Sequence, residues 1–211
     1  MNNNDYLEIL FIRHADTQYD QIEDRDNCDG NLTAKGEQQC LDLGECLLDT
    51  PIDAYLTSSL IRAFKTAAGV CNAKPDAPLL EICPELIECG CTPGYYGCSA
   101  EYLQPYYANA KMCDTKFYGT ENYDFACQTL EDNTLRAQKI IAYLKERFTY
   151  GQRVAVFCHH GILEHLIPVA LGLEQWDFKL AFANTSITVV AFDRNGNCIL
   201  RGLNARSVKA L

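Results

Sequence analysis

The sequence predicts an α/β protein with a largely parallel sheet and an antiparallel edge. Three observations carry this. Two short apolar runs, LEILFI at 7–12 and VAVFC at 154–158, read as strands buried within a sheet. Segments with the 3.6-residue apolar period of helices separate them. Near the C-terminus, SITVVAFD (186–193) and CILRGL (198–203) flank the turn Arg194-Asn195-Gly196-Asn197, a strong hairpin signal.

Taken in order, residues 7–12 form the first strand, interrupted in composition by Glu8 and running straight into Arg13-His14. Residues 18–31 hold Asp20, Glu23, Asp24, Asp26 and Asp29 against Arg25 and read as a loop. Thr33 suits a helix N-cap, and the helix after it places apolar or cysteine residues at 40, 43, 44 and 47 before Pro51 ends it. A second short strand is predicted at 53–57, then a helix from residue 60 to 73, capped by Ser58 or Ser59. Pro75 and Pro78 mark a turn, and Pro84 makes 79–88 extended or irregular.

Residues 92–127 break the βα rhythm. They hold seven tyrosines between 95 and 123 and glycines at 94, 97 and 119, and read as a cap inserted into a single domain spanning 1–211. Residues 131–148 return to a helical period through Leu135, Ile140, Ile141, Leu144 and Phe148, with Gly151 as a stop signal. After the strand at 154–158 and His159-His160-Gly161, a helix over 162–173 is expected to kink or restart at Pro168.

The chain has 211 residues, 48% hydrophobic and 22% charged, an ordinary globular composition. The net charge of −10 argues against general binding of nucleic acid or anionic membranes. The N-terminal apolar run lacks the basic flank and length of a signal peptide, and no stretch approaches the ~20 apolar residues of a membrane span. A cytoplasmic location is expected. Twelve cysteines without an export signal read as reduced, semi-buried hydrophobes. Cys89 and Cys91 form a CxC pair with no second pair at zinc-ribbon spacing, so no metal and no cofactor are expected.

In an open α/β sheet, ligands sit beyond the carboxyl ends of the strands. Strand one delivers Arg13 and His14 there. The second strand delivers Ser58-Ser59, with Arg62 in the following helical turn, and VAVFC delivers His159. Singly each is weak: a strand end, an exposed helix residue, a satisfied core histidine. Two cations and two imidazoles converging from three segments suit a phosphoryl group. The chemistry would need a neutral histidine nucleophile, its second ring nitrogen held by an acceptor such as a backbone carbonyl, and a carboxylic acid to protonate the leaving oxygen.

FIRHADT, LTAKGEQQ, SSLIRAFKTA, LIECG and VAVFCHHG, in this order and with the late Asn184-Thr185-Ser186, resemble the histidine phosphatase superfamily, also called phosphoglycerate-mutase-like, over nearly the whole chain. The resemblance implies a three-layer α/β/α fold and a phosphohistidine intermediate. His14 would be the nucleophile, Arg13, Arg62 and His159 would complete the phosphate pocket, and Glu88 would be the proton donor, with Glu85 and then Asp16 as rivals. Ala15 stands at the signature glycine and would carry strain if that position needs positive φ; Asp16 stands at the usual glutamate. Strand register favours His159 over His160 as the catalytic partner. His160 is left as a substrate contact or a supporting residue held by Glu164 one turn on, and His165 as structural or surface.

The expected activity is hydrolysis of a small-molecule phosphate ester. A phosphoglycerate-type mutase is the runner-up, disfavoured because the acidic loop and the cap, with only Lys111 and Lys116 as bases, suit a second anion poorly. A non-catalytic phosphate-binding scaffold is the third reading. The hairpin edge is the candidate surface for a homo-oligomer.

Overall fold

The computed structural model describes residues 5–18, 30–90, 97–114 and 129–208. Its organising element is β1, Tyr6–Arg13, whose residues alternate between two cores. Ile9 and Phe11 pack into one cluster, Leu10 and Ile12 into the other. A strand covered on both faces has no polar face to show, which is why its sequence is a nearly continuous apolar run.

The chain continues through α1 (Ala34–Leu47), β2 (Ala54–Thr57), α2 (Ile61–Ala73), β3 (Leu80–Ile82), a 3-10 turn (Pro84–Leu86), α3 (Ala100–Leu103), β4 (Ala110–Met112), α4 (Leu130–Arg147), β5 (Arg153–Cys158), α5 (His160–Ala170), β6 (Ile187–Asp193) and β7 (Cys198–Ala205). The seven strands run in the order β4-β3-β2-β5-β1-β6-β7. The five from β4 to β1 are mutually parallel; β6 pairs antiparallel with β1, and β7 antiparallel with β6. Helices α1 and α2 cover one face, α4 and α5 the other, giving the three-layer sandwich.

The capping signals are realised in part. Thr33 caps α1, its hydroxyl accepting the Gly36 N–H. Neither Ser58 nor Ser59 is the cap residue of α2; Leu60 is, while Ser58 Oγ accepts the Leu60 N–H at 3.2 Å. Helix α5 begins at His160 and runs through Pro168 to Ala170 without restarting. Leu135, expected among the core-facing residues of α4, is 46% exposed, and Arg136 beside it is fully buried. The core face follows Asn133, Ala137, Ile140, Ile141 and Leu144, and Leu135 falls about half a turn away from its centre.

The tyrosine-rich segment holds a strand that its composition hides: β4 pairs with β3, with Leu80 opposite Ala110 and Ile82 opposite Met112. Tyr107 is buried and donates to the Pro78 carbonyl at 2.6 Å, whereas Tyr102 and Tyr106 are exposed. Tyr95, Tyr96, Tyr118, Tyr123 and Lys116 lie outside the described residues, as does the loop's acidic stretch at 19–29. Among the described residues, no helix is long and apolar enough to cross a membrane.

Helices α1 and α2 touch backbone to backbone. A Cβ on Gly69 would lie 2.8 Å from the Cβ of Cys40, and one on Gly44 would lie 3.0 Å from the Gly69 carbonyl oxygen. Since α2 carries Arg62, this contact helps set where that guanidinium sits. Gly69→Ala is expected to lower stability by about 1–3 kcal/mol through overpacking. A urea titration checks this, with the midpoint falling at unchanged slope.

Candidate active site

The four residues after β1's apolar run have their backbone groups assigned one by one. The Arg13 N–H donates to the Ser186 carbonyl at 3.2 Å and the His14 N–H to Cys158 at 3.0 Å. The Ala15 N–H donates to Thr66 Oγ1 at 2.9 Å and the Asp16 N–H to Gln39 Oε1 at 2.8 Å. In return the Arg13 carbonyl accepts from the Thr185 N–H at 3.0 Å, and the His14 carbonyl from Asn184 Nδ2 at 3.1 Å. The Asp16 carbonyl accepts from the Thr33 N–H at 3.2 Å. Thr185 makes its bond from the left-handed region, φ 56°, a costly conformation for a β-branched residue and one that strong local bonding must hold. Gly36 approaches so closely that a Cβ there would stand 2.1 Å from the Asp16 carbonyl oxygen.

The Ala15 carbonyl takes the remaining bond, from the Nδ1 of His14 at 2.7 Å. A carbonyl only accepts, so Nδ1 carries the hydrogen and Nε2 of the neutral ring keeps a lone pair. The strain expected of Ala15 does not arise. Its φ is not positive, and its methyl packs with Leu32 and Cys40.

His14 and His159 lie with ring centroids 5.1 Å apart, tilted by 52°. Both are buried. His159 Nε2 meets Ser58 Oγ at 2.8 Å. Both imidazoles are held well below the ordinary histidine range, by burial first and then by the Arg62 guanidinium; Arg13 adds to both, and the Ala15 carbonyl opposes the effect at His14. Arg62 is itself buried in the first turn of α2, and Arg13 donates to the Phe182 carbonyl at 2.6 Å. Arg13, His14, Asp16, Thr17, Arg62, Glu88 and Asn184 line a pocket of about 140 Å³; His159 is not among the lining residues, its ring lying beside that of His14.

The three carboxylates weighed from sequence are separated by position. Glu88 lines the pocket and caps α5: Oε1 accepts from Cys89 N at 2.8 Å and Ile162 N at 3.0 Å, and Oε2 from Gly161 N at 3.1 Å. Glu85 lies elsewhere, buried under α4 among Leu56, Ile140, Leu144 and Val156, where burial pushes its carboxyl up to about 7. Asp16 lines the pocket but accepts from the Thr33 hydroxyl at 2.6 Å and Lys35 Nζ at 3.2 Å, and the Thr33 bond first of all holds it below the usual carboxylate range.

His160 is half-buried, with Nε2 3.7 Å from Glu164 Oε2 and its ring edge-on to Phe182. It does not line the pocket. His165 is buried and joins α5 to α4 through Thr134 Oγ1 at 3.0 Å. Among the described residues no group of three or more His, Cys, Asp or Glu is placed to hold a metal ion. Sequence reasoning missed Gln39, Thr66 and the pairing of Ser58 with His159. Only Thr66 had a signal, one turn after Arg62 on the same helix face.

The strand order and the strand-end pocket are those of the phosphoglycerate-mutase-like α/β fold. The sequence model of the histidine phosphatase superfamily, branch 1, matches residues 9–205, and the chain belongs to that superfamily. Among solved structures it is similar to the α-ribazole phosphatase of Shigella flexneri, at 24% identity over 96% of this chain and 98% of that one, TM-score 0.69. A mycobacterial glucosyl-3-phosphoglycerate phosphatase matches at 18% identity over 94% and 99%, TM-score 0.68. The phosphoserine phosphatase of Entamoeba histolytica, in complex with 3-phosphoglyceric acid, matches at 22% over 97% and 100%, TM-score 0.62. At these identities the likeness establishes the fold. No match was found among curated proteins.

The two depressed histidines set a pH dependence. The unfolded chain takes up protons near the ordinary histidine value of about 6.5, whereas the folded site does not. Their contribution is therefore complete above that pH and is lost as pH falls below it, at about 1.4 kcal/mol per pH unit for each histidine. Urea midpoints measured between pH 7 and pH 5 are expected to fall, and to fall less in His14→Asn.

Proposed function

We propose that the protein is a metal-independent phosphomonoesterase that works through a phosphohistidine at His14. The observation that carries the reading is the bond from His14 Nδ1 to the Ala15 carbonyl, which leaves the Nε2 lone pair unprotonated beside two arginines. Nε2 attacks phosphorus, and the bond from phosphorus to the ester oxygen breaks. Arg13 and Arg62 take the charge that builds on the phosphoryl oxygens, and Glu88 protonates the departing oxygen. Water then attacks the phosphohistidine, Glu88 takes its proton, and His14 Nε2 leaves with its electron pair. His159, kept neutral beside His14, offers a ring N–H to the phosphoryl group. The phosphatase names of the similar structures support this reaction class.

Hydrolysis is favoured over transfer to a second position. Apart from Arg13 and Arg62, the pocket's ionisable lining is His14 and the carboxylates Asp16 and Glu88, which oppose a second anionic group on the substrate. The reading includes a cap at about 92–127. Its support is the bond from Cys98 N to the Ser59 carbonyl at 2.9 Å and the close seat of Gly97 on Ser59, both at the start of the helix bearing Arg62. A cytoplasmic setting accords with the nine described cysteines, all free thiols.

Brief mixing with labelled substrate and acid quenching should trap phosphate on His14. His14→Ala should abolish turnover, and Arg62→Ala should cost about 10²–10³ in kcat/KM, as loss of one of two charge-stabilising groups does. Label on any other residue would overturn the assignment.

A neutral sugar or nucleoside monophosphate should be hydrolysed with higher kcat/KM than 3-phosphoglycerate. Efficient interconversion of the phosphoglycerates in the presence of 2,3-bisphosphoglycerate would replace the phosphatase reading with the mutase one.

A further inference from the structure

Arg136 is fully buried in α4, outside the pocket, and its guanidinium reaches across to the segment that carries Glu88. Nη1 donates to the Ile87 carbonyl at 3.1 Å, with the Glu85 carbonyl at 3.5 Å. Nη2 donates to Cys89 Sγ at 3.3 Å and to Asn133 Oδ1 at 3.1 Å. Two of these partners are the residues immediately before and after Glu88. Sealing a guanidinium from water is costly, and a hydrophobic residue of similar volume would often serve the fold as well or better. A buried arginine placed on both neighbours of one carboxylate therefore points to that carboxylate.

Local structure shows what the arginine holds. After Cys83 the chain makes one 3-10 turn, then runs through Ile87 and Glu88 outside any regular element into a turn at Cys89-Gly90. Such a segment has no ladder to fix the direction of its side chains. Glu85 and Glu88 are three residues apart, yet one faces the apolar core and the other the pocket. On the pocket side the Glu88 carboxylate rests on the first amides of α5, with Gly161 so near that a Cβ there would lie 2.7 Å from Oε1. On the core side, Arg136 supplies the donors for the Ile87 carbonyl and the Cys89 sulfur. Burial pushes the Cys89 thiol up to about 12, so it meets Arg136 as a neutral acceptor.

We propose that Arg136 is the positioning residue for the leaving-group acid: by clamping Ile87 and Cys89 it aims Glu88 at the ester oxygen. This rests on the reading of Glu88 as that acid. Arg136 does not line the pocket, so its largest effect should fall on the step that needs a proton.

The test compares an alkyl phosphate, whose departing alkoxide needs that proton, with para-nitrophenyl phosphate, whose phenolate hardly does. Arg136→Met should lower kcat/KM for the alkyl ester by about tenfold or more and for the nitrophenyl ester by less than about threefold. Arg136→Lys should recover part of the alkyl activity. If Arg136→Met does not fold, Asn133→Ala, which removes one partner of the guanidinium, should show the same selectivity at smaller size. Equal losses on both esters, or none on either, would overturn the proposal. Glu88→Gln, run in parallel, separates the two ideas. Selective loss there without selective loss in the Arg136 variants removes only the positioning role. Unselective behaviour in Glu88→Gln removes the acid assignment, and the Arg136 proposal with it.

Discussion

Everything at the pocket depends on the hydrogen-bonding of Arg13 to Asp16. These residues leave the sheet at its centre, where a free backbone would be both flexible and costly to bury. Instead their N–H and carbonyl groups are taken up by β5, α1, α2, the α1 cap residue and the Asn184-Thr185-Ser186 turn. The one carbonyl left over, that of Ala15, turns inward and fixes the tautomer of His14. The proton state of the His14 ring is thus an outcome of backbone hydrogen bonding spread over elements far apart in sequence. The left-handed Thr185 is where that arrangement costs backbone strain, and Gly36 is where it leaves no room for a side chain.

A second consequence is electrostatic. Two guanidinium groups beside two buried imidazoles would be unfavourable if the imidazoles were charged. Burial and the arginines together keep both rings neutral, and the site awaits an anion. The cationic side chains are held by the fold, Arg13 through the Phe182 carbonyl and Arg62 through its burial where α2 begins. Little reorganisation is then required when charge arrives, which is the condition under which such groups stabilise a transition state most.

Much of this was legible in the sequence, for identifiable reasons. β1 and β5 are buried on both faces, so their runs are unmistakable, and the residues ending them announce the pocket. Thr33 and the Asn-Gly turn are local signals with local outcomes. The failures have a common origin in tertiary contact. β4 is three residues long and is a strand only because β3 offers it an edge. Ser58 has the composition of a helix cap, yet its hydroxyl also meets His159, from a segment a hundred residues away. Arg136 is a polar residue buried on a core face by the segment it reaches across to, and a reading by apolar character alone takes Leu135 instead, half a turn away. Glu85 and Glu88 were inseparable without the family resemblance, because the chain between them follows no period that would sort their side chains.

The seat of the Glu88 carboxylate on the first amides of α5 ties chemistry to mechanics. A helix end is open to solvent exchange in proportion to how often its cap is absent. If Glu88 is the proton donor proposed above, then each time its carboxyl turns to hand over a proton the amides of Gly161 and Ile162 would lose their acceptor and the first turn of the helix beside His159 would loosen. Turnover would then leave a record in the deuterium uptake of those two amides, written by a residue of another segment.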